Sequence, residues 1–141
     1  MSHDRRDGDG RRDGQALRLA GVTSSVAEAR RFIGACADEL RLDDERRQSI
    51  ELVVSELATN AVQAAPDHDF EIRARHDAPD LIVTVVNRAL EVDIPDRVDW
   101  RADNALARRG RGLGIVDLLA DSVDVHTTAE NVTVTVTFGL D

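Results

Sequence analysis

The apolar residues of this chain recur with two different periods, and each change of period marks a new element. Gln15–Val22 alternates Leu17, Leu19 and Gly21 against Ala16, Arg18 and Ala20, which predicts a first strand. Helical spacing follows, with Val26, Ala29, Phe32, Ile33, Cys36 and Leu40 on one face of a helix from about 25 to 41. Its start, Ser25-Val-Ala-Glu28, has the form of a capping box, in which Ser25 accepts a backbone N–H and Glu28 reaches back. Asp43, Asp44 and Glu45 then place negative charge where the dipole of a second helix favours it. That helix carries Ile50, Val53, Val54, Leu57, Ala58, Ala61, Val62 and Ala65 at i, i+3, i+4, i+7 spacing, and Pro66-Asp67 ends it.

Period two returns afterwards. Phe70–His76 and Leu81–Asn87 predict a hairpin about the turn Asp77–Asp80. Residues 88–109 mix charge with few apolar positions, and so long a connection in a compact domain suggests a functional segment such as a lid, here placed at about 91–109. Gly110-Arg-Gly112-Leu-Gly114 opens a short helix to about Ala120. Ser122–Thr127 and Val132–Phe138 then close the chain as an antiparallel pair, with Val132, Val134, Val136 and Phe138 facing inward. The order β-α-α-β-β-lid-α-β-β predicts an α+β fold, a two-layer sandwich with helices on one face of a mixed, mainly antiparallel sheet.

Composition narrows the picture. The 141 residues suit one domain, expected over 15–141. Residues 1–14 hold four Arg, four Asp and three Gly with no apolar residue after Met1, and predict a flexible charged tail. Aromatics are only 3% of the chain, so Ala, Val, Leu and Ile must build the core. A net charge of −9 argues against direct nucleic-acid binding, because a phosphate backbone would be repelled. No apolar run is long enough to span a membrane, and the first residues lack the apolar centre of a signal peptide, so a cytoplasmic location is expected. The single cysteine, Cys36, excludes an internal disulfide and reads as a small apolar filler of the first helix. His3, His68, His76 and His126 have no metal-ligand spacing, and Trp100 reads as a local anchor of the lid.

Two segments carry chemistry. Glu56 and Asn60 lie one turn apart on the flank of the second helix's apolar stripe. A carboxamide offers a neutral oxygen to a hard cation such as magnesium, and a carboxylate can orient or deprotonate a nucleophile. The same pattern also describes a solvated polar flank. Gly110, Gly112 and Gly114 precede a helix, where unpaired N–H groups favour anions and missing side chains admit phosphate, while Arg108, Arg109 and Arg111 add positive charge. A flexible loop ending in a helix cap fits that segment as well. Neither a dinucleotide fingerprint nor a P-loop is present. Ser55 and Thr59 lack the His/Asp arrangement of a nucleophilic triad.

Together the two segments resemble a known family. Glu51-Leu-Val-Val-Ser-Glu56-Leu-Ala-Thr-Asn60-Ala-Val is similar to the N box of GHKL (Bergerat-fold) ATPases, closely so to its form in anti-sigma-factor serine/threonine kinases. Gly110-Arg-Gly-Leu-Gly114-Ile-Val is similar to their G2 box, and the likeness runs over about residues 15–138. The resemblance implies that Asn60 coordinates the magnesium of Mg-ATP and that Glu56 is the catalytic carboxylate assisting a substrate hydroxyl. It implies phosphate contacts from Gly110, Arg111, Gly112, Leu113 and Gly114, and a threonine near the adenine, Thr135 by preference and Thr133 next. The G1 box departs from the family's D-x-G: Asn87-Arg88-Ala89 stands there, so Asn87 lacks the charge of the usual adenine acceptor and Ala89 adds a methyl group beside the base.

The activity implied is an ATP- and Mg2+-dependent serine/threonine kinase that regulates transcription. Its implied partners are a sigma factor and a STAS-type anti-anti-sigma protein, with a homodimer implied by the family alone. The altered G1 box motivates a different class of function, a degenerate GHKL module that grips its partner with weak or no nucleotide turnover. ATP hydrolysis coupled to a conformational change is a third reading, for which so short a chain lacks the usual coupled domains.

Overall fold

The computed structural model describes residues 14–88 and 114–140. In chain order the elements are β1 (Gln15–Leu19), α1 (Ser25–Glu39), α2 (Asp44–Ala64), β2 (Phe70–Asp77), β3 (Asp80–Arg88), β4 (Ser122–Thr127) and β5 (Asn131–Gly139). A helical segment over 114–119 precedes β4. The strands form one sheet in the order β1-β2-β3-β5-β4, and each of its four pairings is antiparallel. The helices α1 and α2 pack on each other and against β1, β2 and β3. The protein is thus the α+β two-layer arrangement that the element order predicts.

The core lies between these layers. Leu19, Phe70, Ile72, Val83, Val85, Val134 and Val136 from the strands meet Ala29 and Ile33 of α1 and Ile50, Val53, Val54 and Leu57 of α2. Burial of each Val, Leu, Ile or Phe contributes about 1.5–3 kcal/mol against chain entropy. β-Branched residues suit the pleated surface, while the alanines Ala29, Ala58 and Ala61 let the helices approach closely. A Cβ at Gly34 would lie 2.6 Å from the end of the flexible Glu51 side chain of α2, which would have to shift.

Two local expectations are corrected. The first strand ends at Leu19 rather than Val22, because Gly21 packs backbone to backbone on the turn after α2. Asp67 N–H donates to Gly21 O at 2.9 Å, and a Cβ on Gly21 would fall 2.4 Å from His68 O. The capping box at Ser25 does not form either. Ser24 is the N-cap, with helical φ and ψ and no side-chain cap bond, and Ser25 is buried in the first turn. A preceding turn does the capping instead, as Val22 O and Thr23 O accept from the N–H groups of Ser25 and Val26 at 3.0 and 3.1 Å. The helix α1 stops at Glu39, with Leu40 as its cap.

The helix α2 starts as the acidic run predicts: Asp43 caps it, accepting from Arg46 N–H at 2.8 Å. The Arg46 guanidinium donates to Gly139 O, which ties the start of α2 to the end of β5. Gly139 pairs with Asp80, the first residue of β3. From Arg46 to Asn60 the helix rises about 21 Å. From Asp80 to Asn87 the strand advances about 24 Å. Since α2 leaves the Asp80 end and its C-terminal turn meets Gly21, beyond β1, Asn60 and Asn87 fall toward the same end of the domain. No helix among the described residues is long and apolar enough to cross a membrane.

Candidate functional site

The second half of α2 holds the two residues singled out above. Both Glu56 and Asn60 are half-buried, between Leu57 and Ala61, which face the core, and the exposed Gln63. The Glu56 carboxylate makes no hydrogen bond or ion pair among the described residues, whereas Glu51, five positions earlier, lies 3.8 Å from the Arg30 guanidinium. The amide nitrogen Nδ2 of Asn60 is buried without a hydrogen-bond partner, and it alone has that state among the buried side-chain N and O atoms of the described residues. An orphaned buried donor costs about 1–3 kcal/mol. The neighbouring hydroxyls are satisfied locally: Ser55 Oγ donates to Glu51 O at 2.9 Å and Thr59 Oγ1 to Ser55 O at 2.8 Å. Both are helix-internal bonds to the i−4 carbonyl.

Asn87 sits near the end of β3 at 7% exposure, in phase with Val83 and Val85, so its side chain is on the helix-facing side of the sheet. Its Nδ2 donates to Arg88 O at 3.0 Å, which leaves Oδ1 as the acceptor end of the amide. The residue opposite it on β5 is Val132, also buried.

Thr135 does not join this group. Because Val134 and Val136 face the helices, Thr135 and Thr133 point to the opposite face of the sheet, where Thr135 Oγ1 lies 3.4 Å from Thr84 Oγ1. The threonines expected near the adenine, Thr135 and Thr133 after it, thus stand on the sheet face away from Asn87, and Val132 is the β5 residue opposite Asn87. Strand parity carries the signal: Asn87 is in step with the inward valines of its strand, and Thr135 is out of step with those of its own.

Gly114 is half-buried in the first described turn of the 114–119 helical segment, whose Val116 enters the core. Ala89, Gly110, Arg111, Gly112 and Leu113 lie outside the described residues, as do Arg108, Arg109, Trp100, the lid at 91–109 and the tail apart from Gly14.

The remaining titratable feature is Cys36. Burial, and then the negative charge of Glu39, push its thiol up to about 11. Its Sγ lies 3.9 Å from Gln15 Oε1. A protonated, buried thiol is the inert filler expected of this position. Among the described residues no group of His, Cys, Asp and Glu could by itself hold a metal ion.

Comparison with known proteins bears on this geometry. Among curated proteins, no sequence matches the chain significantly. The fold matches the crystal structure of the RsbU and RsbW domains of Rv1364c from Mycobacterium tuberculosis, with a TM-score of 0.64 and 17% identity, over 89% of this chain. The chain spans 32% of that longer protein. It also matches a chain of the SiaB–SiaC complex from Pseudomonas aeruginosa, with a TM-score of 0.63 and 10% identity, over 88% of each chain. At such identities these likenesses speak for the fold. The sequence itself matches the model of the histidine kinase-like ATPase domain over residues 20–138, and with that match covering most of its length, the chain belongs to that family.

Proposed function

We propose that the protein is an ATP- and Mg2+-dependent serine/threonine kinase of the anti-sigma-factor type, acting in the cytoplasm. In this reading it binds a sigma factor and phosphorylates a STAS-type anti-anti-sigma protein. The observation that carries the reading is the state of Asn60. In a chain of the histidine kinase-like ATPase family, the amide one turn beyond Glu56 has a buried end that no described protein group satisfies. A buried NH2 is a donor, so what would satisfy it is an acceptor such as a phosphate oxygen, while Oδ1 of the same amide would be the atom left for a cation.

The residues present fit Mg-ATP. Asn60 would hold the metal through its amide oxygen, and Gly110, Arg111, Gly112, Leu113 and Gly114 would meet the phosphates. Asn87, with Ala89 beside it, would accept from the base through Oδ1, which the bond to Arg88 O leaves available. When bound, the cation neutralises phosphate charge as it is transferred. Glu56, free of any partner among the described residues, takes the proton of the substrate hydroxyl as that oxygen bonds to phosphorus and the bond to the ADP leaving group breaks. Thr135, on the other face of the sheet, has no part in it.

A second reading has its own support. Asn87 is neutral, so its bond to an adenine amine lacks charge assistance and the base is held more weakly, by about 1–3 kcal/mol. A module that binds a partner protein with little nucleotide turnover accommodates this, and one of the matched structures is itself a complex of two proteins. Calorimetric titration with Mg-ATP separates the two. Saturable binding is expected, weakened more than about tenfold in Asn60→Ala. No binding at millimolar Mg-ATP would leave the partner-binding module as the function.

A further inference from the structure

The helices cover one face of the sheet, and no element among the described residues packs on the other. Near the start of β1 that open face carries a groove of about 450 Å3, whose lining includes Gly14, Ala16, Arg73, Arg75, Ile82 and Thr84. The groove forms because β1 presents a glycine and an alanine there, while β2 presents the long side chains of Arg73 and Arg75 beside them. Glu71 holds the Arg73 guanidinium at 2.7 Å, whereas Arg75 and Arg18 form no ion pair among the described residues. On the far side of the sheet, Asp124 of β4 ends the cross-strand row that starts at Ala16. Gly14 is the first described residue, and it lies close against β2. A Cβ there would fall 3.1 Å from Ala74 O and 3.5 Å from Arg75 Cβ. The chain therefore reaches β1 from the rim of the groove, on the side where Arg75 stands.

We propose that the charged segment 1–13 of this same chain occupies the groove, folding back from Gly14 across the open face. Charge selects it. Asp13, Asp9, Asp7 and Asp4 alternate with the pairs Arg11-Arg12 and Arg5-Arg6. The segment thus brings carboxylates to Arg75 and Arg18 and, further out, arginines to Asp124, while the arginine stems cover apolar surface at Ile82 and Val86. Asp77 and Asp80, beyond Arg75 on the same face, repel Asp13 from running on along β2. Length permits the path. The sheet measures about 19 Å from β1 to β4, and thirteen extended residues reach about 43 Å. Exposed ion pairs are individually weak, but the tether holds the carboxylates near Arg75 at an effective concentration on the order of millimolar. An acidic segment of a separate protein has to compete at that level. The segment is therefore a built-in cover, which salt loosens and which any partner of the open face must displace. The inference uses the sheet and the segment alone and does not depend on nucleotide binding.

Paramagnetic broadening of methyl signals in the full chain tests it. A spin label on Gly10→Cys leaves every charge of the segment in place, and Cys36→Ala removes the native thiol. Circular dichroism melts confirm that each variant folds, with Cys36→Ser as the substitute background. At low salt the methyls of Ile82 and Val86, on the open face, are expected to broaden severalfold more than those of Val83 and Val85, on the helix face. Molar salt and Arg75→Glu should each remove most of that difference. Adding Asp13→Arg to Arg75→Glu should recover much of it. Equal broadening of the two faces overturns the proposal, as does a difference indifferent to Arg75→Glu. Broadening that passes from a spin-labelled molecule to a separate isotope-labelled one also overturns it, because another molecule then fills the groove.

Discussion

The two halves of α2 are built from similar residues, yet their polar groups are in opposite states. In the first half, Asp43 caps the helix, Arg46 donates to Gly139 O and Glu51 faces Arg30. In the second half, Glu56 has no partner among the described residues and the Nδ2 of Asn60 is buried without one. One half uses its polar side chains to hold the helix to the sheet and to α1. The other keeps two groups unengaged at the end of the domain where Asn87 also lies. Residue type and helical position are alike in the two halves, so only the state of the hydrogen bonds separates polar groups that hold the fold from those left available.

Three substitutions press on that contrast. The largest effect is expected at Glu56. Glu56→Gln should lower transfer of labelled phosphate to an anti-anti-sigma protein by about 10²–10⁴-fold, the usual range for a lost general base, with Mg-ATP affinity nearly unchanged. An equal transfer rate would return Glu56 to the class of solvated flank residues. Next in size is Asp43→Ala, which removes the N-cap and should cost about 1 kcal/mol of stability in a denaturant melt without altering nucleotide binding. The smallest effect has the opposite sign. On stability, Asn60→Leu, which removes an unsatisfied buried donor, should leave the midpoint of that melt unchanged or slightly raised, while Mg-ATP affinity falls by more than about tenfold as in Asn60→Ala. A clear loss of stability in Asn60→Leu would show that the amide serves the fold, and would erase the difference between the two halves.

The elements of the fold were largely legible because each depends on a local period. The stripe from Ile50 to Ala65 could bury its face only as a helix. Val132 to Phe138 could bury alternate residues only as a strand, and both are found so. The start of α1 was not legible. Ser25 and Glu28 have the right spacing for a capping box, but the turn at Val22 and Thr23 offers carbonyls to the same N–H groups, held there by Gly21 against the residues after α2. That competitor is 46 residues away in sequence, at Asp67.

The site divides along the same line. Glu56 and Asn60 stood out in the sequence because i, i+4 spacing places them on one helical flank whatever surrounds them. Their boxes also indicated the family that the match over residues 20–138 supports. Parity along β3 and β5 was likewise present in the sequence, and it already divided Asn87 from Thr135. Which strand lies beside which was not, and only pairing across the sheet set Val132 opposite Asn87. The sequence by itself determined which residues share a face, since dihedral periodicity is a property of the local chain. The tertiary structure alone decided which polar groups find partners, because a hydrogen bond is satisfied or orphaned by whatever the fold brings within about 3 Å of it.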